Sequence, residues 1–353
     1  MLEIAWALPA HHRVDTLLVD GEDCFVAARH TRLVAVNTAT GEERWSAPVQ
    51  NPWGWLAATP TRVFYLNQPS LLLAVERATG QRLWARDLRG NEKAGYLSAF
   101  YGWLHALEDR VIVGGWQGYT DILALHAADG RDCWSYPARG SFFHGTALHS
   151  TRVHATSASL VLAAPEGGGT LVFLSLATGQ AVARVPVANS HWRNTRADRP
   201  VGTRRPDQPL VVESGNRALF VVEGRDPTVE RLVMPTGSWS ENLSCAGTVV
   251  PFLTYGGDLV AWSLPERRLL TFGKVKHNVQ NLLPFCQVGP TAFVVGTQFH
   301  RTGHIGVFPR PGAPPVWHPV GKGVSTPLES SAGRIVFGTR SGQVLGMQIH
   351  PDG

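Results

Sequence analysis

The side chains able to do chemistry are scattered along this chain, and their spacing argues against a compact catalytic centre. His300 and His304 stand four apart in HRTGH, the interval at which a helix sets two zinc ligands on one face. Gly303 and the apolar alternation around it predict a strand turn there, where positions four apart share no face. His11 and His12 precede the first clear repeat and read as solvent-facing. Gly167, Gly168 and Gly169 would cradle a phosphate only ahead of a helix; they join two strand-like runs and read as a hairpin turn. GxSxG, GxxxxGK[ST] and HExxH are all absent from the sequence. Cys24, Cys133, Cys245 and Cys286 are far apart and form no CxxC pair, which fits a reducing compartment. No catalytic or metal-binding residue is assigned, and no cofactor is expected.

The other chemistry available is recognition. Six polar segments are unusually aromatic: NPWGW (51–55), KAGYLSAFYGW (93–103), GSFFHG (140–145), NSHWRNTRADRPVGTRR (189–205), GSWSEN (237–242) and KVKHNVQN (274–281). They supply a candidate partner-binding face of Trp53, Trp55, Tyr101, Trp103, His144, His191, Trp192, Arg193, Arg196, Trp239, Asn242, His277 and Asn278. Trp, Tyr and Arg dominate interface hot spots because each offers a large contact area with a polar handle. Packing alone does not call for His and Asn beside nearly every aromatic.

Charge adds a second reading. The net charge is +5 with a pI of about 9.2, which predicts only weak, salt-sensitive attraction to polyanions. The 189–205 segment is more pointed, with Arg193, Arg196, Arg199, Arg204 and Arg205 against Asp198. Arginine interleaved with aromatics suits an acidic peptide, or a nucleic acid held by stacking over a basic groove.

What must position these residues is an all-β frame. Hydrophobic residues make up 44% and charged residues 17%, so a large core can form, and 37 Gly with 24 Pro turn the chain often. Residues 33–45 read LVAVNTATGEERW, 72–84 LLAVERATGQRLW and 122–134 ILALHAADGRDCW, with Gly and Trp four apart each time. A copy at 171–183, LVFLSLATGQAVA, has Ala183 where Trp would stand, and 305–317 spaces Gly312 and Trp317 by five. Period-2 alternation makes strands, and Gly41, Gly80, Gly130 and Gly179 supply the positive φ a reversal needs. Two further short strands precede each hairpin, and four strands in 40 to 50 residues make one propeller blade.

Fourth strands are expected to close at Pro9, Pro48, Leu88, Pro137, Pro186, Pro235, Val275 and Pro319, giving eight blades with seven as the alternative. Residues 2–9 are expected to complete the last blade, 325–353, so that 1–353 form a single closed β-propeller whose sheet edges are hidden. Connections from each fourth strand to the next first strand cross one face, and the aromatic segments fall on them.

The repeats resemble the PQQ-like repeat family, whose consensus is a strand, a polar residue, a Thr-Gly turn and a Trp four residues on. Trp6, Trp45, Trp84, Trp134 and Trp317 match its docking Trp, and the resemblance implies that each packs onto a neighbouring blade. The family's quinone-dependent enzymes carry vicinal cysteines and a calcium cage, which this sequence lacks. In 256–270 Ser263 stands where the enzyme-like turn is acidic, and Trp262 reads as strand core. The resemblance therefore implies the non-enzymatic branch. The expectation is a monomeric, non-catalytic scaffold for a protein or peptide partner, with polyanion or nucleic-acid binding as the alternative and a quinone- or metal-dependent oxidoreductase behind both. No segment reads as a membrane span or an export signal, and the expected location is cytoplasmic, with periplasmic the alternative if a signal precedes this sequence.

Overall fold

The computed structural model describes residues 2–10, 13–28, 32–49, 55–67, 71–88, 101–115, 121–136, 152–155, 160–166, 170–186, 210–214, 218–223, 228–233, 238–239, 249–254, 257–263, 265–275, 285–287, 293–296, 303–326, 328–331 and 333–350. Among them there is no α-helix, and every sheet is antiparallel. The chain divides into two compact units, residues 1–54 with 237–353, and residues 55–236.

In the first unit, β1 (Leu2–Pro9) is followed by a sheet of β2 (Val14–Asp20), β3 (Asp23–Ala28), β4 (Arg32–Asn37) and β5 (Glu43–Pro48). The second unit opens with β6 (Trp55–Ala58), β7 (Arg62–Asn67), β8 (Leu71–Glu76) and β9 (Arg82–Asp87). Its next sheet is β10 (Tyr101–Ala106), β11 (Arg110–Gly115), β12 (Ile122–His126) and β13 (Asp132–Tyr136). A third comprises β14 (Arg152–Ala155), β15 (Leu160–Glu166), β16 (Thr170–Ser175) and β17 (Ala181–Pro186). Its last sheet has three strands, β18 (Leu210–Ser214), β19 (Ala218–Glu223) and β20 (Thr228–Val233).

The chain then re-enters the first unit with β21 (Ser238–Trp239), β22 (Val249–Thr254), β23 (Asp258–Ser263) and β24 (Arg268–Lys274). The next sheet is β25 (Phe285–Gln287), β26 (Phe293–Gly296), β27 (His304–Phe308) and β28 (Val316–Pro319). The last has β29 (Glu329–Ser331), β30 (Arg334–Gly338) and β31 (Gln343–Ile349), and β1 pairs with β31 as its fourth strand.

Most fourth strands close within one residue of the expected positions. β9 stops at Asp87, one residue early, and Leu88 instead turns its side chain into the core at 1% exposure. β13 is described as far as Tyr136, and Pro137 lies outside the described residues. Pro235 differs: the sheet before it has only three strands among the described residues, and β20 is the third in order.

The Gly turns share one geometry. Gly41, Gly80, Gly130 and Gly179 have φ of 75°, 73°, 73° and 71°. Each donates its N–H to the residue four before it, Asn37, Glu76, His126 or Ser175, and that residue donates to the one after the Gly. A bulge then inserts one extra residue in the fourth strand, such as Arg44 or Leu83, and brings Trp opposite a small partner. The pairs are Trp45 with Ala35, Trp84 with Ala74, Trp134 with Ala124 and Trp6 with Gly346; Trp317 meets Gly306 in a continuous register, and the bulge after Gly179 sets Ala183 opposite Phe173.

Three of these indoles reach the following sheet. Trp6 donates Nε1–H to the Thr38 carbonyl at 3.0 Å, Trp84 to Ala127 at 3.1 Å and Trp134 to Leu176 at 2.9 Å. Each acceptor lies three residues before the turn Gly, under which the ring lies. Apolar clusters fill the gaps between consecutive sheets: Phe64, Leu66 and Leu72 face Leu104, Val111 and Leu123, for example. Trp317 instead packs against Gly306 and edge-on against Phe308, centroids 6.0 Å apart.

Candidate recognition site

Four antiparallel strands sort the connections of a sheet into two sets. The turns from first to second and from third to fourth strand share one end, so the Gly turns lie there. The starts of the first strands, the second-to-third turns and the ends of the fourth strands share the other. The aromatic candidates with a described backbone fall on first strands. Trp55 opens β6 opposite Leu66, and Tyr101 opens β10 opposite Gly115. Trp103 follows opposite Gly114, with the register shifting between it and Tyr101. Trp239 closes β21 opposite Leu253.

These four were expected in the connections, and their place in strands is a correction. Apolar neighbours such as Leu56 and Leu104, both buried, draw the segments into the ladder. β6 and β10 lie side by side in the second unit, which brings Trp55, Tyr101 and Trp103 onto neighbouring strands. Trp53, His144, His191, Trp192 and Arg193 lie outside the described residues, as do Arg196, Asn242, His277 and Asn278.

Sequence reasoning missed His105, two residues beyond Trp103 on the same strand. Burial lowers its pKa to about 4, because the charged imidazolium loses its hydration there. An ionisable residue inside the apolar run of β10 was the available signal.

The remaining reactive groups are quiet. Burial raises the thiol pKa of Cys24 well above its ordinary value, and that of Cys133 is raised by the same cause, which leaves both as unactivated thiols. Among the described residues no three His, Cys, Asp or Glu side chains gather where they could hold a metal. His304 opens β27 opposite Pro319, and His300 lies outside the described residues. Glu166 and Thr170 are paired across β15 and β16, and residues 167–169 between them lie outside the described residues. Trp262 is half-buried within β23 between Val250 and Leu269 of its neighbour strands.

Four-stranded antiparallel sheets, packed face to face and joined by indoles docked under turn glycines, define a β-propeller of PQQ-like repeats. Residues 5–226, well over half of the chain, match the family described as outer membrane protein assembly factor BamB, and the chain belongs to that family. Comparison with curated proteins gives no significant match. Among solved structures the chain is similar to BamB from Moraxella catarrhalis, with a TM-score of 0.69 and 16% identity over 99% of this chain and 98% of that one. It is also similar to Sqt1 of Saccharomyces cerevisiae, at 0.66 and 9% identity over 98% and 99% of the two chains. The computationally designed Ika8 protein matches at 0.63 and 14% identity over 97% and 98%. At such identities the likeness carries the fold alone.

Proposed function

We propose that this chain is a non-catalytic scaffold, a closed propeller of eight blades acting as one domain, that recognises a protein partner at the end where its first strands begin. The observation that carries this reading is the placement of Trp55, Tyr101 and Trp103 on adjacent first strands β6 and β10. Trp and Tyr offer a large amphipathic contact area for few rotatable bonds, so ordering them on binding costs little entropy. Membership in a family described as an assembly factor supports a role exercised through binding. The face extends in this proposal to Trp53, His144, Trp192, Arg193 and Trp239. A cytoplasmic location belongs to the same reading, supported by the free thiols of Cys24 and Cys133, and cell fractionation checks it.

The test is affinity capture of the tagged chain from its own source, with the Trp55→Ala/Trp103→Ala and Trp192→Ala/Arg193→Ala pairs alongside. A protein captured by the parent and lost from either pair, with an unchanged unfolding midpoint, supports the reading. Capture indifferent to both pairs removes the proposed face. A stoichiometric quinone absorbance or bound calcium in the purified protein overturns the non-catalytic assignment.

A further inference from the structure

The first unit gathers a cluster of cations at the end where its own first strands begin, on segments the aromatic reading does not use. Arg13 leads into β2, Lys322 lies on the connection into β29, and Arg340 sits in the turn between β30 and β31. Backbone hydrogen bonds tie the three segments together. Ala10 N–H donates to the Gly342 carbonyl at 2.8 Å, and Arg340 N–H donates to Gly323 at 3.0 Å. Ser325 bridges by its hydroxyl to the Val14 carbonyl at 2.7 Å and by its N–H to Gly338 at 2.8 Å. A further bond from Gly303 N–H to Gly321 fixes the Lys322 loop from its other side.

Arg13 and Lys322 are exposed and Arg340 is half-buried. Burial and the charge of Arg13 together lower the pKa of the Arg340 guanidinium from its ordinary value, so Arg340 lies within the field of Arg13. Residues 10–16, 320–326 and 339–343 hold these three cations against a single carboxylate, Asp15, and no Phe, Tyr or Trp. Base stacking on aromatics is therefore missing from the chemistry of these segments, whereas guanidinium and ammonium groups with several donors each are of the type that recognises carboxylates.

We infer that Arg13, Lys322 and Arg340 form a docking patch for an acidic segment of a protein partner. The patch rests on the scaffold reading but on none of its aromatic residues. Because the backbone ties hold the loops, the cations are set in place before a partner arrives and steer it electrostatically.

Fluorescence anisotropy of a labelled hexaglutamate peptide at low salt, titrated with the full chain, tests it. Arg13→Gln/Lys322→Gln should weaken binding about tenfold, the scale of two exposed ion pairs. Arg268→Gln/Arg310→Gln, removing as much charge at the opposite strand ends of the same unit, should leave it unchanged. No binding by the parent chain, no loss in the first pair, or equal loss in both pairs overturns the patch. Tighter binding of a single-stranded oligonucleotide of equal charge overturns the acidic-peptide assignment. The peptide assay needs no native partner, so it fails independently of the capture experiment.

Discussion

The indole of Trp6 occupies the space where a Cβ on Gly41 would stand: an added methyl would lie 2.6 Å from Trp6 Cδ2. Gly41 also has φ of 75°, which a side chain opposes on its own account. One residue thus serves the turn of its own hairpin and the docking of a Trp from the preceding sheet in sequence. The same double role recurs where Gly130 meets Trp84 and Gly179 meets Trp134.

Gly41→Ala should therefore cost more than strain alone. Gly312 offers the comparison, since it has φ of 77° but nothing within 4 Å of an added Cβ. Gly312→Ala should lose about 1 kcal/mol and Gly41→Ala about 1–3 kcal/mol beyond that, read from denaturant midpoints. Equal losses would mean that the indole moves aside freely.

Ala183 takes the docking Trp position of its sheet, and the register sets it opposite Phe173, where the other sheets place Ala or Gly. Ala183→Trp alone and Phe173→Ala alone should each destabilise. Combined, they should recover about 1–3 kcal/mol relative to the summed single effects in a double-mutant cycle. Simple additivity would detach the two positions from each other.

Much of this was legible because the repeat couples local and tertiary needs in one short string. A Gly with positive φ, followed four residues later by a Trp, identifies the hairpin, its bulge and the docked ring at once. Even the pairing of β1 with β31 follows from a string split between the two chain ends. First strands were harder to read. Trp55, Tyr101, Trp103 and Trp239 looked like loop residues because Gly and polar residues surround them, yet the ladder takes them in, opposite Leu66, Gly115, Gly114 and Leu253 in turn. The three-stranded sheet of β18–β20 was equally illegible, since its segment lacks the Gly-to-Trp spacing that fixes strand order elsewhere. The cluster of Arg13, Lys322 and Arg340 comes from three distant segments, and only backbone bonds among loops bring it together.

Deleting residues 2–9 should destabilise the protein by more than the loss of any one side chain. β1 pairs with β31 from Leu2–Ile349 to Pro9–Gln343 and buries Leu2 and Trp6. Losing Trp6 alone should cost about 3–5 kcal/mol, a large share of a domain's usual 5–15 kcal/mol. Without β1, β31 becomes an open edge, prone to pair with other chains. Hydrogen exchange should show amides of β31 unprotected in the truncated chain, with protection returning when a peptide of residues 1–10 is added. Retained protection without the peptide would mean that β1 is dispensable.

His105 sets a pH dependence whose direction follows from its burial. Its folded pKa, about 4, lies below the ordinary 6.5, so on acidification the unfolded chain takes up the proton first. Stability from the neutral imidazole is complete above about pH 6.5 and falls as pH drops from there toward 4, at no more than about 1.4 kcal/mol per unit. His105 as a residue is half-buried, and discounting for that exposure gives a total of about 2 kcal/mol. His105→Gln removes the titrating group while keeping a polar side chain of similar reach. Between pH 7 and 4.5 the variant should lose about 2 kcal/mol less stability than the parent in urea titrations. An identical loss in both proteins would assign the acid sensitivity to other groups, and His105 would then titrate normally in the folded chain.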